Sequence, residues 1–200
     1  MFKLRGLIVI FLLLFQNLVF SGERKITILR IGILSSKAEN VNGIQIGLLS
    51  AKIENKINGL QFSSVIGNIE DGNGVQISGI FSIGETLKGI TFGGMLNGVD
   101  RVKGIQLSGL LSHCDNIIGL QLSPIVLSKE VRGFQIGLFS GITDSLVGCQ
   151  IGLFNTAENV KGVQIGFINL CKNLKGVQIG GINIAKNNFL PLMLGINIGF

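Results

Sequence analysis

The residues best suited to chemistry in this sequence are His113, Cys114 and Asp115, which are adjacent in the segment LLSHCDN. An imidazole, a thiol and a carboxylate can ligate a metal ion or activate a nucleophile. Neighbouring side chains on a strand point to opposite faces, however, and a zinc site needs about four suitably spaced ligands. We therefore predict no catalytic residues and no metal ligands here, and interpret the segment as part of a polar turn.

A second candidate is a row of acidic residues that recur at intervals of 14 to 16 residues. They are Glu39, Glu54, Glu70, Glu85, Asp100, Asp115, Glu130 and Asp144. Stacked carboxylates could bind calcium, but calcium-binding β-rolls use a glycine- and aspartate-rich nonapeptide that this chain lacks. Solvated turns explain the row more simply, with nearby lysines as ion-pair partners worth about 0–1 kcal/mol each. Those lysines are Lys88, Lys103, Lys161 and Lys175. No cofactor is predicted.

The three cysteines are Cys114, Cys149 and Cys171. Cys149 stands at a position that is mostly valine, isoleucine or leucine in the other repeat units, which predicts a small core residue. Cys171 stands where neighbouring units have Ala157 and Ala185, and we interpret it in the same way. Because the number of cysteines is odd and their positions differ, we predict no disulfide framework.

The elements that would position all these residues belong to a tandem repeat. A word of the form Gly–apolar–Gln–apolar–Gly/Ser recurs every 14 to 16 residues. Its copies begin at Gly43, Gly59, Gly74, Gly89, Gly104, Gly119, Gly133, Gly148, Gly162 and Gly176. Degenerate copies at Ile28 and Pro191 bracket them, which makes twelve copies with atypical ends. This pattern is typical of a repeat architecture with capping units.

Within a word, the side chains alternate with the period of a β-strand. In the copy at Gly162, Val163 and Ile165 point one way and Gln164 points the other. We predict that the apolar second and fourth positions form continuous core columns. The glutamine of the third position, which recurs nine times, is predicted to stack into a hydrogen-bonded ladder. The polar segments SAKIEN, NTAEN and IAKNN between words are predicted to be turns.

The repeat predicts an all-β fold in which residues 23–200 form a single domain. The favoured arrangement is a parallel β-solenoid of about 12 short coils, whose equivalent residues stack about 4.8 Å apart. The alternative is an antiparallel meander closed into a β-barrel. An alternating last strand that ends at Phe200, as in bacterial outer-membrane barrels, and the repulsion between stacked acids favour this alternative. The absence of Tyr and Trp, which form the interfacial girdles of membrane barrels, counts against it.

Residues 1–22 have the layout of a secretory signal peptide. Two basic residues precede an apolar run over residues 6–20, and the small residues Ser21 and Gly22 follow. A retained membrane anchor is the alternative, although the run is short for a spanning helix. Without residues 1–22 the chain keeps 15 basic and 11 acidic residues, a net charge of +4. The basic residues are dispersed, which argues against nucleic-acid binding.

Tandem G-x-Q-[IL]-G-x-x-N words, such as GVQIGFIN and GVQIGGIN, lie between this N-terminal segment and a C-terminal strand that contains a proline. In these features the chain resembles the bacterial surface repeat-containing proteins over roughly residues 28–200. The resemblance implies an exported protein of the bacterial cell envelope, in the outer membrane, at the cell surface or in the periplasm. It implies no activity and no functional residues. We therefore expect a structural or partner-binding role without catalysis, through a surface partner or the membrane. A small outer-membrane barrel is the alternative.

Overall fold

The computed structural model describes residues 27–32 and 35–200. These residues form twelve strands of one sheet, in which each strand is hydrogen-bonded to the next along the chain. The strands are β1 (Thr27–Gly32), β2 (Ser35–Gly47), β3 (Ser50–Ser63), β4 (Ile66–Ser78), β5 (Phe81–Gly93), β6 (Leu96–Ser108), β7 (Leu111–Leu122), β8 (Ile125–Ile136), β9 (Phe139–Ile151), β10 (Phe154–Ile165), β11 (Ile168–Ala185) and β12 (Leu192–Gly199). The predicted signal peptide at residues 1–22 lies outside the described residues. Within the described ranges, no helix is long and apolar enough to cross a membrane.

Strands β1 to β11 are parallel, and successive strands form the coils of a β-solenoid. Equivalent positions of the word lie side by side, so that Gly104 pairs with Gly119 and Gln106 pairs with Gln121. The predicted parallel β-solenoid is therefore confirmed. It has about ten coils rather than twelve: ten steps join β1 to β11, and the last degenerate word forms β12, which runs antiparallel to β11.

The alternative of a closed barrel is wrong. Among the described residues, β1 pairs only with β2 and β12 pairs only with β11, so the sheet stays open. The acid row, which counted against a parallel stack, is accommodated on the outside. Glu70, Glu85 and Asp100 are exposed, and the residues on either side of them pair in register. Water and salt screen the repulsion between exposed carboxylates, which allows the stack to tolerate them.

The first glycine of each word has a backbone conformation that other residues rarely adopt. The ten glycines from Gly43 to Gly176 have φ angles between +134° and +149°. A Cβ atom added to Gly119 would overlap the carbonyl oxygen of Gly104 in the preceding coil, and the same relation repeats along the stack. Glycine is therefore required at this position by both its φ angle and the close approach of the coils.

The third position of the word points inward, where the glutamines form the predicted ladder. Gln150, Gln164 and Gln178 are fully buried, at 0% exposure. Nε2 of Gln164 donates to Oε1 of Gln150, and Nε2 of Gln178 donates to Oε1 of Gln164, both at 2.7 Å. Thr91 replaces glutamine in one coil, and its Oγ1 donates to Oε1 of Gln76 at 3.2 Å. The side chains of this polar column thus find hydrogen-bond partners in neighbouring coils, and these hydrogen bonds offset the free-energy cost of burying them.

Besides the glutamines, the second residue of most strands points inward and is polar, as at Ser112, Asn155 and Asn169. An apolar core precedes the word in each coil. Two inward columns form it, represented in β6 by Val99 and Val102, which are each 1% exposed. The prediction that the second and fourth positions of the word form the core is wrong. None of these residues is buried, and in the same coil Ile105 and Leu107 lie on the outer surface. The alternation of the word is as predicted, but its glutamine side faces inward.

The positions of the turns also differ from the prediction. SAKIEN lies within β3 and NTAEN lies within β10, so these polar segments are extended strands. In IAKNN, β11 ends at Ala185 and the last three residues form a turn and bend, so the prediction is confirmed for that part. The bends fall instead directly after the word, for example at Gly109 and Leu110. Apolar side chains are consequently carried around the outside of each bend.

Candidate functional site

The outer surface of the solenoid carries a continuous apolar surface, here called the apolar face. It consists of four outward columns: the second word positions from Ile44 to Val177, the fourth from Ile46 to Ile179, the bend positions from Leu49 to Phe167, and the strand starts from Ile66 to Ile182. These columns contain no charged or amide side chain. The rings of Phe139 and Phe154 stack within the face, with centroids 5.3 Å apart. Because ten inter-strand steps of about 4.8 Å separate β1 from β11, the stack is roughly 50 Å long.

A groove of about 790 Å³ indents the apolar face, with lining residues from Phe92 in β5 to Phe167 after β10. One wall includes Ile151 and Ile165 from the fourth word position, and the other includes Leu153 and Phe167 from the bends. Gly152 lies between the walls, where an added Cβ atom would overlap the backbone of the preceding coil. The groove therefore follows from a small residue that close stacking of the coils requires, and it offers apolar side chains to whatever covers the face.

A row of cations, here called the cation column, borders the apolar face on one flank. It comprises Lys88, Lys103, Arg132, Lys161 and Lys175, which are exposed and in register directly before the glycine of the word. Ile118 and Val147 occupy this column in the two intervening coils. Within the described part of the chain, none of the five cations forms an ion pair, so the predicted pairing of these lysines with the acid row is wrong.

Ion pairs form farther from the apolar face, beyond the exposed column that contains Arg101 and Asn116. Nζ of Lys129 lies 2.8 Å from Oδ2 of Asp115, and Nζ of Lys37 lies 2.7 Å from Oε1 of Glu54. The hydrogen bond from Lys129 lowers the pKa of Asp115, and the hydrogen bond from Lys37 lowers the pKa of Glu54. These groups are exposed, and the pairs therefore contribute little to stability.

The predicted acid row is interrupted by a lysine. Asn116 pairs with Glu130 in the register of β7 and β8, which brings Lys129 rather than Glu130 beside Asp115. Among the described residues, no group of three or more His, Cys, Asp and Glu side chains could hold a metal ion. Because Lys129 stands in the row beside Asp115, the row carries both acidic and basic side chains on the polar side of the solenoid.

The structure divides His113, Cys114 and Asp115 between two faces of β7. Nε2 of His113 lies 3.7 Å from Oδ1 of Asp115 on the outer side. Cys114 points inward and is fully buried, and burial raises the pKa of its thiol to about 12. A buried thiol that stays protonated is not a nucleophile. The segment is also part of a strand, so its interpretation as a turn is wrong.

The other two cysteines also take opposite sides of the sheet. Cys171 is buried in the apolar core beside Ala157 and Ala185, as predicted. Cys149 stands at the second position of the word and therefore lies half-buried on the apolar face, so its prediction as a core residue is wrong. Burial raises the pKa of the Cys171 thiol to about 11 and also raises the pKa of Cys149. All three cysteines are free thiols.

These environments predict the order in which iodoacetamide reacts with the cysteines at pH 8. The thiolate is the reactive species, so a raised pKa and burial both slow the reaction. We expect Cys149 to react first in the folded protein, while Cys114 and Cys171 react only as the protein unfolds. Peptide mass spectrometry of samples quenched over time measures the order. The control is the same protein unfolded in about 8 M urea, where we expect all three thiols to react at about the same rate. Labelling of Cys114 before Cys149 would contradict the inward orientation of Cys114.

The candidate functional site is thus the apolar face, with its groove, together with the cation column at its flank. Sequence reasoning missed this site because it assigned the second and fourth positions of the word to the core. The regular glutamines were the available signal, since stacked amides can be buried as a ladder. Comparisons with family models, with curated proteins and with solved structures gave no match to this chain.

Proposed function

We propose that this chain is an exported protein of the bacterial cell envelope that binds a partner through its apolar face and has no catalytic activity. The observation that carries the proposal is the reversed placement of the word, with glutamines inside and four apolar columns outside. Export and an envelope location are supported by the N-terminal segment and by the resemblance to surface repeat-containing proteins.

The apolar face supports binding because covering it is favourable. Each Å² of apolar surface removed from water contributes about 25 cal/mol, and exposed patches larger than a few hundred Å² mark contacts with partners or membranes. The other side of each coil carries Asn, Lys, Glu and Asp. The rod therefore has one side suited to a partner and one side suited to water, and solenoids commonly use a long regular surface for binding.

Binding of micelles of dodecylphosphocholine, which have no net charge, tests this proposal. All strands and all core residues lie after residue 26, so residues 23–200 contain the whole described fold. We expect this chain to sediment with the micelles. Replacing Leu153 and Phe167 by aspartate should weaken binding by about 100-fold, since full burial of one such side chain contributes roughly 1.5–3 kcal/mol and these two, at 50% and 61% exposure, have about half of that left to gain.

The matched control replaces Ile83 and Leu127 by aspartate. These side chains are similarly exposed, at 47% and 42%, but they stand outside the apolar face. Ile83 lies between Asn68 and Gly98, and Leu127 lies between His113 and Gly141. We expect this variant to bind micelles as the parent does. A parent chain that stays monodisperse in plain buffer and ignores the micelles would overturn the proposed function.

A further inference from the structure

The position of the cation column indicates what kind of partner covers the apolar face. Its five members lie in β5 to β11, so they follow the face along most of its length. In the coil of β6, Lys103 and the outward Ile105 are separated only by Gly104. A lysine or arginine stem can lie along apolar surface while its charged end reaches a polar layer. The column is therefore placed where an apolar phase would meet water.

The charges beside the column leave it available to anions. Asp100, the carboxylate of the same coil as Lys103, is three residues away along the strand and is followed by the exposed Arg101 and the inward Val102. Three extended residues span roughly 10 Å, which is about one Debye length at 0.1 M salt. Asp100 thus screens Lys103 only weakly, whereas Glu130, two residues before Arg132 in β8, lies closer to that member of the column.

We propose that the partner of the apolar face is an anionic lipid surface, on which the solenoid lies with its long axis in the plane of the membrane. This inference rests on the proposed function and names the partner of the same face. The apolar columns enter the boundary between headgroups and acyl chains, and the cation column contacts phosphate groups at their edge. This combination of an apolar surface with flanking cations is the one that peripheral membrane elements use.

The chemistry of the apolar face favours lipid over a protein partner. A protein interface carries about one hydrogen bond for each 100–200 Å². The four columns provide no charged or amide side chain, so they can orient a protein partner only through shape. Acyl chains require no hydrogen bonds, and the repetition of the face over successive coils matches a surface that is itself uniform.

Flotation of residues 23–200 with two kinds of vesicle tests the inference. One contains phosphatidylcholine alone, and the other contains phosphatidylcholine with phosphatidylglycerol. We expect much tighter binding to the anionic vesicles at low salt, and loss of this preference in about 1 M salt, where the Debye length falls to about 3 Å. Replacing Lys103, Lys161 and Lys175 by glutamine should weaken binding to anionic vesicles by about 100-fold, because each surface cation contributes about fivefold.

The matched control replaces Lys37, Lys129 and Lys172 by glutamine. It removes the same charge from lysines that lie outside the cation column and are paired with acids. We expect it to lose less than about tenfold. Equal losses in the two variants would overturn the inference, because net charge alone would then explain binding. Equal binding of the parent to both vesicles would also overturn it and leave the proposed function standing. Failure to bind either vesicle, together with failure to bind micelles, would overturn both.

Discussion

Replacing Gly119 by alanine is expected to lower the free energy of unfolding by about 3–5 kcal/mol, a large part of the stability of an ordinary domain. The φ angle of Gly119 is +141°, which an alanine holds only under strain. The added Cβ atom would also overlap the carbonyl oxygen of Gly104 in the preceding coil. The neighbouring coils fix both backbones, so the overlap can be relieved only by separating them.

Urea unfolding of residues 23–200, followed by circular dichroism, measures this loss. Gly98→Ala is the matched control, since Gly98 lies in the adjacent strand β6 and has no atom within 4 Å of an added Cβ. We expect the control to change stability by less than about 0.5 kcal/mol. If both variants unfold at the same urea concentration as the parent, the close approach of the glycine column is incorrect.

Replacing Gln164 by glutamate is expected to destabilise the protein strongly at neutral pH and much less in acid. The side chain is fully buried, donates to Gln150 and accepts from Gln178. An ionised carboxylate there loses the donor and, among the residues that the structure describes, has no buried cation to pair with, a change that costs about 3–5 kcal/mol. Burial raises the pKa of the new carboxyl group above its unfolded value. Stability is therefore greatest below the unfolded pKa, where a protonated carboxyl can donate to Gln150, and falls as the pH rises above it.

Urea unfolding at about pH 4, close to the ordinary pKa of glutamate, and at about pH 7.5, well above it, checks the sign of this pH dependence. Gln164→Leu is the control. It leaves Oε1 of Gln150 without the amide donor of Gln164 but introduces no titratable group, so we expect a loss of about 1–3 kcal/mol at both pH values. Equal losses for Gln164→Glu at the two pH values would place this side chain in water and contradict the inward ladder.

The register of the solenoid could be predicted because every unit repeats the same word at nearly the same spacing. Parallel stacking is the arrangement that places Gln106 beside Gln121 and Gly104 beside Gly119, and the ladder followed from the glutamines themselves. The number of coils was overestimated because the word at Pro191 has the same alternation as the others. Only its pairing with β11 reveals that it runs in the opposite direction.

The side of the word that faces inward could not be predicted from its alternation. A period of two residues separates Ile105 from Gln106 but does not say which is inside, and transfer free energies favour burial of the isoleucine. A single buried glutamine would be costly, but a stacked one is satisfied by the coils above and below. Burial of this column is therefore a property of the assembled stack, which no single unit reveals.

The candidate site was hidden by the same ambiguity. The lysines before the word were noticed, but they were expected to pair with acids three residues away in the coil. Lys103 and Asp100 are instead separated by the inward Val102, and Asp115 pairs with Lys129, a lysine of its own row. Once the word is known to face outward, the same lysines become the border of an apolar surface.

The reversal of direction at β12 has a consequence for polymerisation. Parallel strands in register, with stacked amides along the axis, share the geometry by which amyloid fibrils recruit further chains. A final coil that was parallel would present this template at its open edge. β12 runs the opposite way, and its Asn197 continues the ladder with a shorter amide that donates to Oε1 of Gln178 at 3.2 Å. Nδ2 of Asn188 also donates to the carbonyl oxygen of Ile198 at 3.2 Å. β12 thus ends the parallel stack at this edge of the sheet, and a further parallel coil could not continue the register of β11 there.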